Sequence, residues 1–268
     1  MEDFFNCLRS RGFERTDEPL PSDGRHIVVH GVGGSGKTSL IEAFAIANEW
    51  VRAYTLTSHE RFDISGRGIS KYTGQPIDDK LWTILDEYGQ TEDPKELPAF
   101  NVLATDPYQA YRCQPLRAHF VSLRSYRVPH HIAQAITQYT GFPIQAAGTD
   151  LHEGKYTVGP WTDKLRQQIL VEDGEIHYQL SRRQCPHKLI TDAIGEQWPT
   201  VTVIFDRTIS PESPRPLRCL FYIAATRSSN ELNIRTYVPT RTPGLIKASL
   251  PHTSCRLCCR PRDLSLEN

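Results

Sequence analysis

The chain has 268 residues, 38% of them apolar and 23% charged, a composition that excludes disorder of the whole chain and suits one or two globular domains. The 31 Lys and Arg balance the 31 Asp and Glu, which excludes the strongly basic signature of a histone-like nucleic-acid binder and leaves a local basic groove open. No run approaches the ~20 apolar residues of a membrane-spanning helix, Met1-Glu2-Asp3-Phe4-Phe5 lacks the features of a secretory signal, and seven irregularly spaced cysteines read as reduced thiols. The expectation is a protein of a cytosol, not an integral membrane protein.

In chain order, His26-Ile27-Val28-Val29-His30 is rich in β-branched residues and predicts a buried strand that ends in a glycine loop. Thr38 to Trp50 has neither Gly nor Pro and places Leu40, Ile41, Phe44 and Ala47 on one helical face. Leu81–Leu85, Phe100–Ala104 and His119–Leu123 predict further buried strands, each followed by polar residues, as in a parallel sheet covered on both faces. Gly and Pro between Thr140 and Pro160 suggest a domain boundary. Beyond it, Val201–Phe205 predicts a strand, Leu217, Leu220, Phe221 and Ala224 a helical face, and Leu232, Ile234 and Val238 with Thr236 an alternating strand. The expected division is 1–140, 141–240 and a flexible tail over 241–268.

Gly31-Val32-Gly33-Gly34-Ser35-Gly36-Lys37-Thr38 fits the P-loop pattern at every fixed position. Glycines let backbone N–H groups close around phosphate oxygens, the helix that follows adds its positive N-terminal dipole, Lys37 reaches the β- and γ-phosphates, and the Thr38 hydroxyl ligates Mg²⁺. The acidic partner is Asp86-Glu87 after an apolar strand, with Asp86 on the metal through water and Glu87 orienting or deprotonating the attacking water. Gln109, in Thr105-Asp106-Pro107-Tyr108-Gln109, has an amide that accepts and donates, which suits sensing the γ-phosphate and its water. Arg127 in Ser125-Tyr126-Arg127-Val128-Pro129 and Arg227 in Ala224-Ala225-Thr226-Arg227-Ser228 are candidates to neutralise charge on the transferred phosphoryl group.

The ordered set GVGGSGKT, LDEY, TDPYQ, SYRVP and AATRS resembles a superfamily 1 viral RNA helicase. With the opening FFNCLRSRGFER, GRGISK at Gly66–Lys71 and FYIAATRS, it is similar over residues 1–240 to the triple gene block protein 1 family of filamentous plant viruses, the potexvirus, allexivirus and carlavirus group. The resemblance implies an α/β fold of two RecA-like domains with parallel sheets, the P-loop, Asp86-Glu87 and Gln109 on the first and Arg227 on the second. It implies an NTPase and RNA helicase, using ATP or another NTP with Mg²⁺, that helps viral RNA through plasmodesmata and suppresses RNA silencing. It further implies single-stranded viral RNA, copies of itself, viral coat protein and the other movement proteins as partners, and the host cytoplasm and plasmodesmata as its location. Thr57-Ser58 matches the family's first RNA-contacting motif.

Two departures stand out. Where superfamily 1 helicases carry Gln-Gly in the fifth motif this chain has Ile194-Gly195, which bears on coupling RNA to nucleotide more than on NTP binding; Thr105 replaces the superfamily's Gly. No adenine-stacking motif precedes the P-loop. His252, Cys255, Cys258 and Cys259 lack the two separated ligand pairs of a tetrahedral zinc site and read as reduced tail thiols. Arg9, Arg11 and Arg15, and Arg256, Arg260 and Arg262, read as solvated charge before RNA contacts. A non-catalytic RNA-binding suppressor that retains its P-loop is the alternative function, whereas a small-molecule P-loop kinase would need an arginine-bearing lid that the chain lacks.

Overall fold

The computed structural model describes residues 1–237 except 22–25, 58–59, 95–96, 98–99, 149–152, 164, 166 and 173. Ser58, Val238 and all the tail residues singled out above lie outside the described residues. Those that are described belong to one compact unit, Met1–Val238.

The first half runs α1 (Glu2–Ser10), β1 (Glu14–Arg15), β2 (Ile27–Gly31), α2 (Lys37–Ala47), β3 (Val51–Thr55), β4 (Arg61–Phe62), β5 (Gly68–Lys71), β6 (Trp82–Asp86), β7 (Val102–Thr105) and β8 (Phe120–Ser122). They form one sheet in the order β1-β8-β2-β7-β6-β3-β5-β4, parallel except for the outermost strands β1 and β4. Strand β2 is buried along its whole length, as its unbroken Ile-Val-Val run requires of a central parallel strand. Its neighbours β7 and β8 come later in the chain on opposite sides, so the order reverses at β2 and opens a crevice at its carboxyl end. The P-loop fills that crevice.

Helices α1 and α2 cover one face of this sheet through Phe4, Phe5, Leu8, Leu40, Ile41 and Phe44; Leu85, Tyr88, Phe100 and Leu103 pack on the other. Helix α2 buries Lys37, Leu40, Ile41, Phe44 and Ala45, the spacing of one face. Ala47, expected on that face, is exposed because Ala45, four residues after Ile41, occupies the next place in the stripe.

A short connection follows, with β9 (Arg124–Ser125) paired to β10 (Gln145–Ala146) around α3 (His130–Thr140). The second half then runs β11 (Lys155–Pro160), β12 (Gln168–Val171), α4 (Glu175–Arg182), β13 (Lys188–Leu189), β14 (Trp198–Phe205), α5 (Arg215–Ala225) and β15 (Ser228–Thr236). These strands make a fully parallel sheet in the order β11-β15-β14-β12-β13. The Gly/Pro stretch before Pro160 therefore contains an edge strand, where a proline is tolerated. One face of the sheet packs on α3 and α5 and the other on α4.

Strand β15 is buried on both sides over most of its length instead of alternating, because it lies between β11 and β14 beneath helices. Helix α5 likewise buries Leu217, Cys219 and every residue from Phe221 to Ala225. The C-terminal half is thus enclosed on all sides, while Arg215, Pro216 and Arg218 leave the N-terminal half with a partly exposed face, and Val32 of the P-loop shares the helix's core. That contact joins the two sheets at the site.

Candidate functional site

The glycine loop leaves β2 and enters α2 with Gly34 at φ +82° and Gly36 at φ +81°. A Cβ on Gly34 would stand 2.6 Å from Arg127 Cβ and 2.7 Å from Ser125 Oγ, so both the backbone sign and the space require glycine. Ser125 Oγ holds the loop by donating to the Gly33 carbonyl at 2.7 Å, and the Tyr126 N–H donates to the Gly34 carbonyl at 2.9 Å. Helix α2 begins with no side-chain cap and no acidic residue in its first turn, which leaves its N-terminal N–H groups facing the cavity.

Opposite the loop, the Lys37 ammonium lies 2.6 Å from Asp86 Oδ1 and 2.9 Å from Glu87 Oε1. Thr38 Oγ1 donates to Asp86 Oδ2 at 2.7 Å. Burial by itself would lower the Lys37 pKa; the two carboxylates more than reverse it and hold the ammonium above its ordinary value. Glu87 sits at φ +58°, a conformation unfavourable for its side chain, and its Oε2 accepts from Thr105 Oγ1 at 3.4 Å. The tight turn aims its carboxylate beside Lys37.

These groups line one cavity of about 440 Å³. Gly31 to Ser39, Asp86, Glu87, Asp106, Gln109 and Arg127 come from the first half and its connection, and Ile194, Gly195 and Arg227 from the second; Thr55 and Thr57 line it too. All the site residues expected from the sequence therefore meet in one place.

A family profile for the viral superfamily 1 RNA helicase core domain matches residues 27–236. The chain is 94% identical over 268 residues, all of both chains, to the movement and silencing protein TGBp1 of Lolium latent virus. It is 30% identical to TGBp1 of Papaya mosaic potexvirus over 96% of this chain and 99% of that one, and 31% identical to TGBp1 of Potato virus X (strain CP) over 88% and 99%. The chain belongs to the TGBp1 family of viral superfamily 1 helicases. Among solved structures, an arterivirus nonstructural protein 10 helicase in complex with DNA matches with a TM-score of 0.52 at 16% identity, over 79% of this chain and 60% of that one, a likeness of fold. Two sheets, one parallel but for its outermost strands and one fully parallel, meeting at a P-loop are thus the superfamily 1 fold in this TGBp1 relative.

The cradle fits a nucleotide's phosphate chain. Ser35 Oγ and Arg127 Nε are buried without a hydrogen-bond partner at the loop, the donors at α2 are uncapped, and nothing lies within 4 Å of the place a Cβ on Gly36 would take. Thr38 and Asp86 supply oxygen ligands suited to a hard divalent cation. Among the described residues no group of three or more His, Cys, Asp or Glu could hold a metal ion.

Arg227 is 1% exposed and immobilised. Its Nε donates to the Ile223 carbonyl at 3.1 Å, one amino group to Thr226 Oγ1 at 3.0 Å and the other to the Glu196 carbonyl at 3.4 Å. Burial, with the charge of Arg127 adding, brings its pKa down to about 10, so it stays cationic at neutral pH. Gln109 is directed to Asp106, with Nε2 2.9 Å from Oδ2. Ile194 and Gly195, the altered fifth motif, follow a short 3-10 turn at Thr191–Ala193, and Gly195 has φ +90°.

Two further residues were missed by sequence reasoning. Asp106 is fully enclosed; burial pushes its pKa up to about 6, opposed by a hydrogen bond from Tyr222 and reinforced by the charge of Glu87. Tyr222, on α5, meets both Asp106 and the P-loop. An aromatic side chain in an apolar helix reads as core; the only signal is that a buried phenol needs a polar partner.

Proposed function

We propose that this chain is an NTP-dependent RNA helicase or translocase that serves as a plant virus cell-to-cell movement protein and suppresses RNA silencing. The observation that carries this reading is the single cavity in which the P-loop, Asp86-Glu87, Gln109, Arg127 and Arg227 converge from both halves of the chain. ATP or another NTP is the substrate. Mg²⁺, held by Thr38 and by Asp86 through water, supplies neutralisation of charge on the β- and γ-phosphates.

In this reading Lys37 leaves its two carboxylates to bind phosphate, and the loop and α2 amides grip the phosphate oxygens. Glu87 takes the proton of the attacking water or orients it, and Gln109 senses the γ-phosphate. Arg127 and Arg227 counter the charge that grows in the transition state, an electrostatic role that needs their cationic form. Helix α3 shares a core with α5, so we place the working division between the two RecA-like halves in the connection after β8, ahead of residue 140. Single-stranded RNA crosses the carboxyl edges of both sheets, by Thr57 on the first. Viral coat protein, the other movement proteins and further copies of the chain are the proposed partners, in the host cytoplasm and at plasmodesmata. No helix among the described residues is long and apolar enough to cross a membrane.

The test is strand displacement on an RNA duplex with a single-stranded overhang, in the presence of NTP and Mg²⁺. Release of the strand by wild type and none by Lys37→Ala supports the reading. RNA binding by both proteins with no displacement by either favours a non-catalytic RNA-binding role.

A further inference from the structure

Tyr222 reaches from the second half into the P-loop. Its hydroxyl accepts a hydrogen bond from the Gly33 N–H at 2.8 Å and donates one to Asp106 Oδ2 at 2.7 Å, the same carboxylate oxygen that receives the Gln109 amide at 2.9 Å. The phenol is fully buried, and burial with the neighbouring Asp106 holds its pKa well above the ordinary value, so the proton needed for donation stays in place. A Cβ on Gly33 would lie 2.8 Å from an Arg127 amino nitrogen, 3.4 Å from the Tyr222 hydroxyl and 3.5 Å from Asp106 Oδ2. Three separate parts of the chain converge on one P-loop glycine.

The ring is wedged as well as bonded. It lies edge-on to Tyr108 at 5.4 Å and to Phe142 at 6.3 Å, while Tyr108 and Phe142 stack at 4.4 Å and 7°. The Arg218 guanidinium lies 4.9 Å from the Phe142 ring centre. Five residues beyond Tyr222, Arg227 is fastened to the end of the same helix through the Ile223 carbonyl and Thr226, so its guanidinium goes where α5 goes.

We infer that Tyr222 is a positioning residue: its hydroxyl, held between the Gly33 amide and Asp106, seats α5 against the P-loop and so sets where Arg227 stands relative to the reacting phosphate. The part concerning Arg227 rests on the NTPase reading above. The hydroxyl makes the P-loop backbone sensitive to the placement of the second half, because a shift of α5 away from the loop removes the partner of a P-loop amide. It ties the Gln109 sensor to the same contact, since both share one oxygen of Asp106.

The test is Tyr222→Phe, which keeps the ring and its stacking and removes one oxygen. We expect kcat for NTP hydrolysis to fall about 10-fold to 100-fold, the range of a hydrogen bond to a charged group, with KM within about 3-fold. Amide exchange over residues 31–38 rises while that within 217–224 is unchanged. Asp106→Asn addresses the contact from the other side, and the double variant is no slower than the worse single one, as for residues acting as a unit. Wild-type kcat in Tyr222→Phe, a KM rise that accounts for the whole loss, or exchange rising throughout α5 would overturn the inference. Unchanged exchange at the P-loop overturns it whatever the turnover. If the wild type does not hydrolyse NTP, the NTPase reading fails together with the part concerning Arg227, and the exchange measurement still decides whether the hydroxyl ties α5 to the loop.

Discussion

The Lys37 ammonium and Asp86 carboxylate form an ion pair 2.6 Å long, with side chains 6% and 1% exposed, between the first turn of α2 and the end of β6. Such a pair is costly to break from one side, because the remaining charge stays buried; removing one partner typically costs about 3–5 kcal/mol. We therefore expect Lys37→Ala to lose stability in a urea melt as well as turnover. Lys37→Met combined with Asp86→Asn removes both charges and should recover most of the stability but none of the hydrolysis. A Lys37→Ala melt indistinguishable from wild type would mean that the pair is not formed in solution.

Glu87 contributes little to the phosphate cradle, whose donors are the loop amides and Lys37. Glu87→Gln should lower turnover by about 10²-fold or more, the usual scale for loss of a general base, and leave NTP affinity within a few-fold by equilibrium titration. Turnover close to wild type would remove Glu87 from the reaction.

For Arg227 the expected split is sharper. Its fork is committed to the Ile223 and Glu196 carbonyls and to Thr226, a planar set of bonds that a lysine cannot reproduce. Arg227→Ala should cut turnover by about 10³-fold or more, in the range of other P-loop arginines, with a far smaller effect on NTP binding, and Arg227→Lys should rescue little. Equal losses in binding and turnover would assign it to ground-state binding.

Two buried groups give opposing pH dependences. Burial, with the charges of Lys37, Arg215 and His119 adding, lowers the His30 pKa to about 4. The unfolded chain takes up that proton from about pH 6.5 downward, whereas the folded chain resists until about pH 4, so this contribution to stability is lost as pH falls between those values. It amounts to about 3 kcal/mol at full extent. Asp106 acts in reverse: with its pKa raised to about 6, the folded chain keeps a proton that the unfolded chain releases near pH 3.8, and stability declines as pH rises through that window. Urea melts from pH 4 to 6 should therefore show His30→Gln losing stability with rising pH relative to wild type, and Asp106→Asn gaining it. Parallel curves for all three proteins would contradict both assignments.

Much of the first half could be read locally. The Ile-Val-Val run, the glycine loop and the apolar face of α2 lie within 21 consecutive residues, and each of Asp86-Glu87 and Gln109 follows its own strand. What escaped depends on contacts between distant segments. Tyr222 meets Gly33 across 189 residues and Asp106 across 116, and the C-terminal half of α5 is buried all round because the P-loop packs on it as well as the second sheet. The strand β11 was hidden by the Gly and Pro that an exposed edge strand tolerates. Periodicity reports the face that a segment turns to its own sheet, and it is silent on what packs against the other side.

We expect this cavity to hydrolyse NTP in response to RNA. The most direct test is steady-state NTP turnover with Mg²⁺, with and without single-stranded RNA, for wild type and Lys37→Ala. Turnover that RNA stimulates in wild type and that Lys37→Ala abolishes is the expected result. RNA binding by a wild type that shows no turnover would contradict the claim and direct attention to Ile194-Gly195, where the motif that couples RNA to nucleotide departs from the superfamily pattern.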